Sequence, residues 1–230
     1  MQSQITQYRP MELRPHLMPR RQTGFLKLVV WVFFQDPHAP MIYRGGLWMD
    51  DEKMTRYQLE RLQKHSGWTY IHSLRVNRYA MKIGRFLGEG PQALKELSIA
   101  ARLHDIGKLA IPQNILDKPG SLSDEEYRLM KSHTVCGCLL LEFLGYPRTV
   151  CEAVRDHHEW YDGNGYGGKK GIEIGVPARI LCVADSYDAM KFGRPYRESF
   201  TDEEIYEEMA VNSGKQFDPE ICAAALRLFS

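Results

Sequence analysis

Apolar side chains recur every three or four residues from His72 to the C-terminus, which is the spacing of amphipathic α-helices. One apolar face ends at Gly88, a residue type that commonly ends helices. The next face passes through Leu97 and Ala101 and reaches His104 on the same stripe. The pattern predicts about seven helices and no strand in this part of the chain.

Helix starts are marked by capping residues. Ser123 with Glu126 and Thr201 with Glu204 have the three-residue spacing of a capping box. From Ser123 the apolar spacing continues to Gly145, so we expect one uninterrupted helix there.

The N-terminal part has a different pattern. The run Phe25–Phe34 is rich in β-branched and aromatic residues and predicts a strand, and Met41–Gly46 fits a second one. Asp51–Lys64 has helical spacing, whereas Trp68–Ile71 fits either a short strand or the start of the next helix. We therefore expect a small α/β unit at residues 1–68, a candidate for regulation or partner binding, and an all-helical domain at residues 69–230.

Composition narrows the class of protein. The 230 residues have a formal net charge of +1, which gives no indication of nucleic-acid or membrane-surface binding. The longest apolar run, near Phe25–Phe34, contains Lys27 and is too short to span a bilayer. The five cysteines are odd in number and include no CxxC pair, which favours reduced thiols and a cytoplasmic location.

Histidines and aspartates on the apolar helix faces indicate a metal site. One histidine in such a place is usually an ordinary core residue. Here there are five, together with two aspartates, and buried carboxylates need partners. They are His72, His104, Asp105, His133, His157, His158 and Asp185.

Two pairs of adjacent ligands suggest two ions. Neighbouring residues such as His104 and Asp105, or His157 and His158, point about 100° apart on a helix and can serve different ions. Asp105 has two oxygens and is the natural bridge. Two ions about 3.5–4 Å apart would activate a water and neutralise a phosphodiester.

The motifs in this order resemble a known family. HDIGK at His104 to Lys108, HHEWYDGNGYG from His157, and ADSYDAM around Asp185 are similar to those of the HD-GYP branch of the HD-domain phosphohydrolases. The resemblance runs from about Trp68 to the C-terminus. It implies an all-helical HD-domain bundle that degrades the bacterial second messenger cyclic di-GMP.

The resemblance implies a role for each matching residue. The first metal would be bound by His72, His104, Asp105 and Asp185, and the second by Asp105, His133, His157 and His158. Lys108 would lie near the scissile phosphate, although a solvated lysine at a helix end is the simpler alternative. Arg194 and Arg197 would face substrate phosphates, or else form surface ion pairs. Tyr166 belongs to the signature loop with Asp162, Gly163 and Gly165, and Glu159 would orient a histidine.

Two positions depart from the family pattern. Some members have a glutamate four residues before the first histidine that helps to bind a third metal, but this chain has Trp68 there. We therefore expect two metals. The GYP motif is Gly165-Tyr166-Gly167 here, and the loss of proline should make the loop up to Gly171 mobile.

The resulting hypothesis is a phosphodiesterase that hydrolyses cyclic di-GMP to pGpG or GMP through a two-metal-activated water. Iron or manganese would be favoured, with zinc or nickel able to occupy the site. One alternative is a signalling protein with little or no activity that binds a cyclic dinucleotide, or a protein partner through the N-terminal unit. Another is a phosphohydrolase of a different nucleotide.

Overall fold

The structure, a computed structural model, describes residues 50–193 and 199–229. These residues form ten α-helices, and their only strand-like pairing is an isolated bridge between Ser213 and Phe217. Short 3-10 turns cover Ile106–Ala110 and Gly171–Glu173. The mainly α class is therefore confirmed over the described residues. The helices are α1 Asp51–His65, α2 Gly67–Phe86, α3 Pro91–Leu103, α4 Gln113–Leu116, α5 Asp124–Lys131, α6 His133–Phe143, α7 Arg148–Asp156, α8 Val176–Phe192, α9 Asp202–Val211 and α10 Pro219–Phe229.

The capping residues act as the sequence predicts. Both capping boxes are present, with Ser123 and Thr201 accepting the amides of Glu126 and Glu204. Gly145 follows α6 with a φ of 80°, which a residue with a side chain adopts only under strain.

The helix expected to run from Ser123 to Gly145 is broken at Ser132. The amide of Ser132 donates to Leu129 O, three residues back, and its hydroxyl donates to the same carbonyl at 2.6 Å. This tightens the end of α5, so α6 begins afresh at His133. The break adds one helix to the expected seven, and the short helix α4 adds another, so that the described residues between Gly67 and Phe229 form nine helices.

The hydrophobic core contains residues from before and after position 68. Helix α1, within the expected N-terminal unit, packs against α2 and α3 and contributes Leu62 to the same buried cluster as Ile83 and Leu181. The boundary at residue 68 stays a prediction. Of the two alternatives for Trp68–Ile71, the helix is correct, because this segment lies in α2. The strands predicted at Phe25–Phe34 and Met41–Gly46 lie outside the described residues.

All five cysteines are buried free thiols. Burial raises the pKa of Cys136 to about 11 and that of Cys138 to about 12, so these thiols stay protonated at neutral pH. Among the helices of residues 50–193 and 199–229, we find none with the length and apolar character needed to cross a membrane.

Gly107 allows the turn after α3 to lie directly on the start of α6. A Cβ atom at Gly107 would come within 1.9 Å of His133 O and 2.6 Å of the amide nitrogen of Gly137. Both obstacles are backbone atoms, which cannot rotate away as a side chain can. The turn therefore holds Asp105 and His133 at a fixed separation.

We expect Gly107→Ala to lower the free energy of unfolding by about 3 kcal/mol, because the added methyl group forces two backbone segments apart. Gly67→Ala is the matched control, since a Cβ atom there meets nothing within 4 Å. That control should change stability by no more than about 0.5 kcal/mol. Urea unfolding of the metal-free proteins measures both, and equal effects would contradict the close approach.

Candidate metal centre

The HD pair lies where α3 ends. His104 and Asp105 follow Leu103, the last residue of α3, and precede the 3-10 turn Ile106–Ala110. The flanking Leu103 and Ile106 are fully buried and anchor the turn in the core. His104 and Asp105 are only 1% and 2% exposed, so the apolar packing keeps both polar side chains inside the protein.

The other predicted ligands converge on this pair from four further segments. The distance from His72 Nε2 to Asp185 Oδ1 is 3.0 Å, and that from His133 Nε2 to Asp105 Oδ1 is 3.3 Å. Donor atoms within 4.8 Å of one another form three groups. These are His72, His104 and Asp185; His104, Asp105 and His157; and His133, His157 and His158.

Asp105 lies between the two sides of the cluster. Its Oδ2 is 3.4 Å from His104 Nε2 and 3.8 Å from His72 Nε2, whereas its Oδ1 faces His133. One carboxylate thus presents a different oxygen to each side, as a bridging ligand does.

Three of the histidines cap helix ends through their Nδ1 atoms. His104 Nδ1 lies 2.9 Å from the carbonyl oxygen of Ala101, and His157 Nδ1 lies 2.7 Å from that of Val154. His133 Nδ1 lies 2.7 Å from the carbonyl oxygen of Met130, in the last turn of α5. Because a carbonyl oxygen only accepts, each Nδ1 must carry the proton. Each Nε2 is then left with a lone pair for a metal.

His72 is oriented by a carboxylate instead of a carbonyl. Its Nδ1 is 2.7 Å from Asp188 Oδ2, and Arg75 donates to both oxygens of Asp188 at 2.7 and 2.9 Å. Neither Asp188 nor Arg75 was assigned to the site from the sequence. Their spacing could have indicated a role, because Arg75 and Asp188 each lie three residues after a predicted ligand. Residues three apart lie on the same face of a helix.

Burial makes three histidines poor bases. Burial lowers the pKa of His133 to about 3 and that of His158 to about 4, against a partial opposing effect of the nearby aspartates. Burial and three neighbouring histidines also hold the pKa of His157 well below its usual range. All three imidazoles are therefore neutral near pH 7, the form in which histidine binds metals.

His72, Asp105 and Asp185 carry charge in the metal-free protein. Burial lowers the pKa of His72, but hydrogen bonds to Asp185 and Asp188 outweigh it and raise the pKa to about 9. For Asp105, burial raises the pKa, but Lys108 and nearby histidines lower it well below the usual range. Both aspartates stay ionised, because His72 lowers the pKa of Asp185 in the same way.

The donor set fits divalent metal ions. His104 Nε2 is completely buried and has no hydrogen-bond partner, although unsatisfied buried nitrogens are costly. His133 Nε2 and His157 Nε2 face each other at 3.4 Å, each with its proton committed to the other ring nitrogen. Two lone pairs that face one another repel, and a cation bound by both nitrogens would remove this repulsion. These are the atoms that metal coordination would satisfy.

Lys108 and Tyr166 border the cluster. Lys108 Nζ donates to Asp105 Oδ2 at 2.6 Å, so this lysine is not the solvated residue of the simpler alternative. The Tyr166 ring contacts the ring of His158 in a tilted arrangement, with a centroid distance of 4.7 Å. Arg194 and Arg197 lie outside the described residues.

Glu159 orients the signature loop and not a histidine, contrary to the expectation from sequence. Its carboxylate is 5% exposed and accepts the backbone amides of Gly167 and Lys169. The amide of Tyr166 also donates to His158 O at 3.2 Å. These hydrogen bonds act against the mobility expected from the missing proline. Since proline has no N–H, the bond from Gly167 exists only because this position is not proline.

Trp68 contacts the cluster as an aromatic ring. It stacks on His72 with a centroid distance of 5.0 Å and an interplanar angle of 12°. The indole thus occupies the position at which some members of the resembled family have a glutamate that helps to bind a third metal. An indole offers no acceptor atom for a metal.

We expect Asp188→Asn to weaken metal binding about 10-fold to 100-fold, because an amide holds neither the proton on His72 Nδ1 nor Arg75 as a carboxylate does. Asp202→Asn is the control, since this aspartate pairs with Lys191 at the surface. Metal content after dialysis against a graded series of chelator concentrations measures the effect. Equal metal retention by both variants would show that Asp188 does not support the site.

We expect Glu159→Gln to weaken the hydrogen bonds that protect the loop amides. The glutamine oxygen can accept from only one of the two amides, Gly167 or Lys169, and the NH₂ group then faces the N–H of the other. Hydrogen exchange at Gly167 and Lys169 should become about tenfold faster. Glu173→Gln, which alters a single bond to the amide of Lys170, is the control. Unchanged exchange at Gly167 would contradict this role.

Residues 56–221 match the family described as the HD domain. A cyclic di-GMP phosphodiesterase of Thermotoga maritima is 40% identical over 163 residues, which are 70% of this chain and 44% of that protein. The 3'3'-cGAMP-specific phosphodiesterase 2 of Vibrio cholerae is 33% identical over 165 residues, 70% of this chain and 31% of that protein. The chain thus spans less than half the length of these curated relatives.

Solved structures agree with the fold. The protein Bd1817 from Bdellovibrio bacteriovorus, described as an HDG"Y"P protein, superposes with a TM-score of 0.58 at 19% identity, covering 77% of this chain and 60% of that one. The HD domain of the phosphodiesterase PgpH of L. monocytogenes gives a TM-score of 0.57 at 17% identity, covering 74% and 93%. The chain belongs to the HD domain family, whose model matches residues 56–221.

Proposed function

We propose that this chain is a metal-dependent phosphodiesterase that hydrolyses cyclic di-GMP to pGpG or GMP. The observation that carries the proposal is Asp105, whose two oxygens face two different groups of imidazoles. A single ion would leave one of these groups without a role. The arrangement supports two divalent ions that share Asp105.

Each predicted ligand has a place in this proposal. One ion would be held by His72, His104, Asp105 and Asp185, and the other by Asp105, His133, His157 and His158. The ligand atoms are imidazole nitrogens and carboxylate oxygens without thiolate, which suits iron or manganese and admits zinc or nickel. When bound, such a pair of ions supplies an activated water and neutralises charge on the phosphodiester.

The chain's own side chains would position the substrate. Lys108, now paired with Asp105, is the cation closest to the bridging carboxylate and can donate to the oxygen that leaves phosphorus. The Tyr166 ring contacts that of His158 and would border the bound substrate. Arg194 and Arg197 would grip phosphate oxygens, a task that suits the planar guanidinium group.

The substrate proposal rests on relatives and the metal cluster together. Several similar proteins are named as cyclic di-GMP phosphodiesterases, and others as specific for 3'3'-cGAMP. The shared chemistry is hydrolysis of a cyclic dinucleotide. The five free cysteines fit a cytoplasmic setting, where such a messenger would be met. We propose that residues 1–68 contact a signalling partner.

One assay tests the proposal. Protein loaded with iron or manganese is analysed for metal per chain, and cyclic di-GMP and 3'3'-cGAMP are followed beside a generic aryl phosphodiester. We expect about two ions per chain and turnover of cyclic di-GMP and of the aryl ester. Turnover of the aryl ester alone would show an active centre with another substrate. Tight binding of cyclic di-GMP without turnover would favour a signalling protein over an enzyme.

The double substitution His104→Ala with Asp105→Ala should remove metal and reduce activity to background, because it deletes the shared ligand and one imidazole. Helicity by circular dichroism should stay largely unchanged, since most of the core lies elsewhere. His65→Ala with Asp202→Ala is a matched control outside the three donor groups. Full metal retention by the first variant would show that the centre is wrongly placed.

A further inference from the structure

A pocket lies next to the candidate metal centre. Its volume is about 380 Å³, and it opens between the junction of α5 with α6, the end of α7 and the signature loop. Tyr166, whose ring contacts that of His158, is part of its lining. Its cationic and polar lining includes Arg128, Lys131, Thr134, Arg155, Tyr166 and Lys169.

Most of the positive charge in this pocket is already neutralised. Arg155 and Lys169 both pair with Asp156, at 2.8 and 2.6 Å. Arg128 pairs with Glu125 at 3.0 Å. These three cations are therefore engaged with carboxylates in the protein itself.

Lys131 is different. Within residues 50–193 and 199–229 its ammonium group forms no ion pair, and it lies 5.0 Å from the centroid of the Tyr127 ring and 5.4 Å from that of Tyr166. Aromatic faces attract a cation but leave its N–H donors unused. Lys131 is therefore a positioned cation with donors available to a ligand.

Lys131 is also close to the reacting centre. It is the last residue of α5, two positions before His133. The Tyr166 ring contacts both its ammonium group and the ring of His158, so one aromatic residue links Lys131 to the cluster. A ligand extending from the metal centre past Tyr166 would meet this ammonium group.

A cyclic dinucleotide has the chemistry that this arrangement requires. It contains two phosphodiesters in one ring, and hydrolysis involves only one of them at a time. The second phosphate carries a full negative charge that has to be balanced near the site. We propose that this second phosphate enters the pocket and is bound by Lys131. This inference rests on the proposed function and assigns a specificity-determining residue that neither the motifs nor the metal ligands include.

The role predicts a specific kinetic change. Because Lys131 would contact the phosphate that does not react, its loss should remove binding that is equal in the ground and transition states. Lys131→Met should raise KM for cyclic di-GMP about tenfold with little change in kcat, as for loss of one charge-assisted hydrogen bond. Lys131→Arg, which keeps the charge, should restore most of the affinity.

The test compares cyclic di-GMP with the linear dinucleotide GpG, which has the same bases but only one phosphate. KM and kcat are measured on the metal-loaded enzyme, and calorimetry with chelator-treated protein measures binding of both compounds without turnover. Metal content should be unchanged in Lys131→Met. Lys95→Met is the control, because Lys95 pairs with Asp51 and does not line this pocket.

We expect Lys131→Met to weaken the binding of cyclic di-GMP. The affinity for GpG should stay within about twofold of that of the unmodified protein. If the binding of both compounds is weakened equally, or the binding of neither is weakened, the second-phosphate role is overturned. Either result would leave the phosphodiesterase proposal intact. Unmodified protein that cleaves the aryl phosphodiester but does not bind cyclic di-GMP would also overturn the second-phosphate role. Absence of all metal-dependent hydrolysis would instead contradict the proposed function.

Discussion

Hydrogen bonds from imidazole Nδ1 atoms to the last turns of three helices are the constraint on which the centre depends. The final carbonyl groups of a helix lack intrahelical partners. Here His104, His133 and His157 supply donors to one such carbonyl each in α3, α5 and α7. One contact therefore caps a helix, selects a tautomer and aims Nε2 at the cluster. The same atoms serve the fold and the site.

Each of these caps lies at a break in the helical pattern. Helix α3 stops at Leu103 and α7 at Asp156, each immediately before a histidine, and α5 ends two residues before His133. Apolar packing brings the helix ends together. The hydrogen bonds from the Nδ1 atoms then orient the imidazole rings, so that their Nε2 lone pairs point into the cluster.

The sequence predicted the helical class and the convergence of all seven cluster residues, because apolar periodicity and motif spacing report on both. It did not predict the break at Ser132, where the hydroxyl group competes with the helix for Leu129 O. Nor did it indicate that Glu159 would bind loop amides, since the choice between a histidine and a backbone N–H depends on the folded loop. Asp188 was visible only as a residue three positions after Asp185, and its contact with His72 joins α8 to α2 across the bundle.

The contact of Gly107 with the backbone of His133 has a thermodynamic consequence. Because these two chain segments touch without an intervening side chain, the positions of Asp105 and His133 are set when the protein folds. The entropy lost in ordering the ligands then belongs to the folding reaction and is not subtracted from the affinity for a cation. Such preorganisation differs from that of small zinc domains, whose chains become ordered only as the ion arrives.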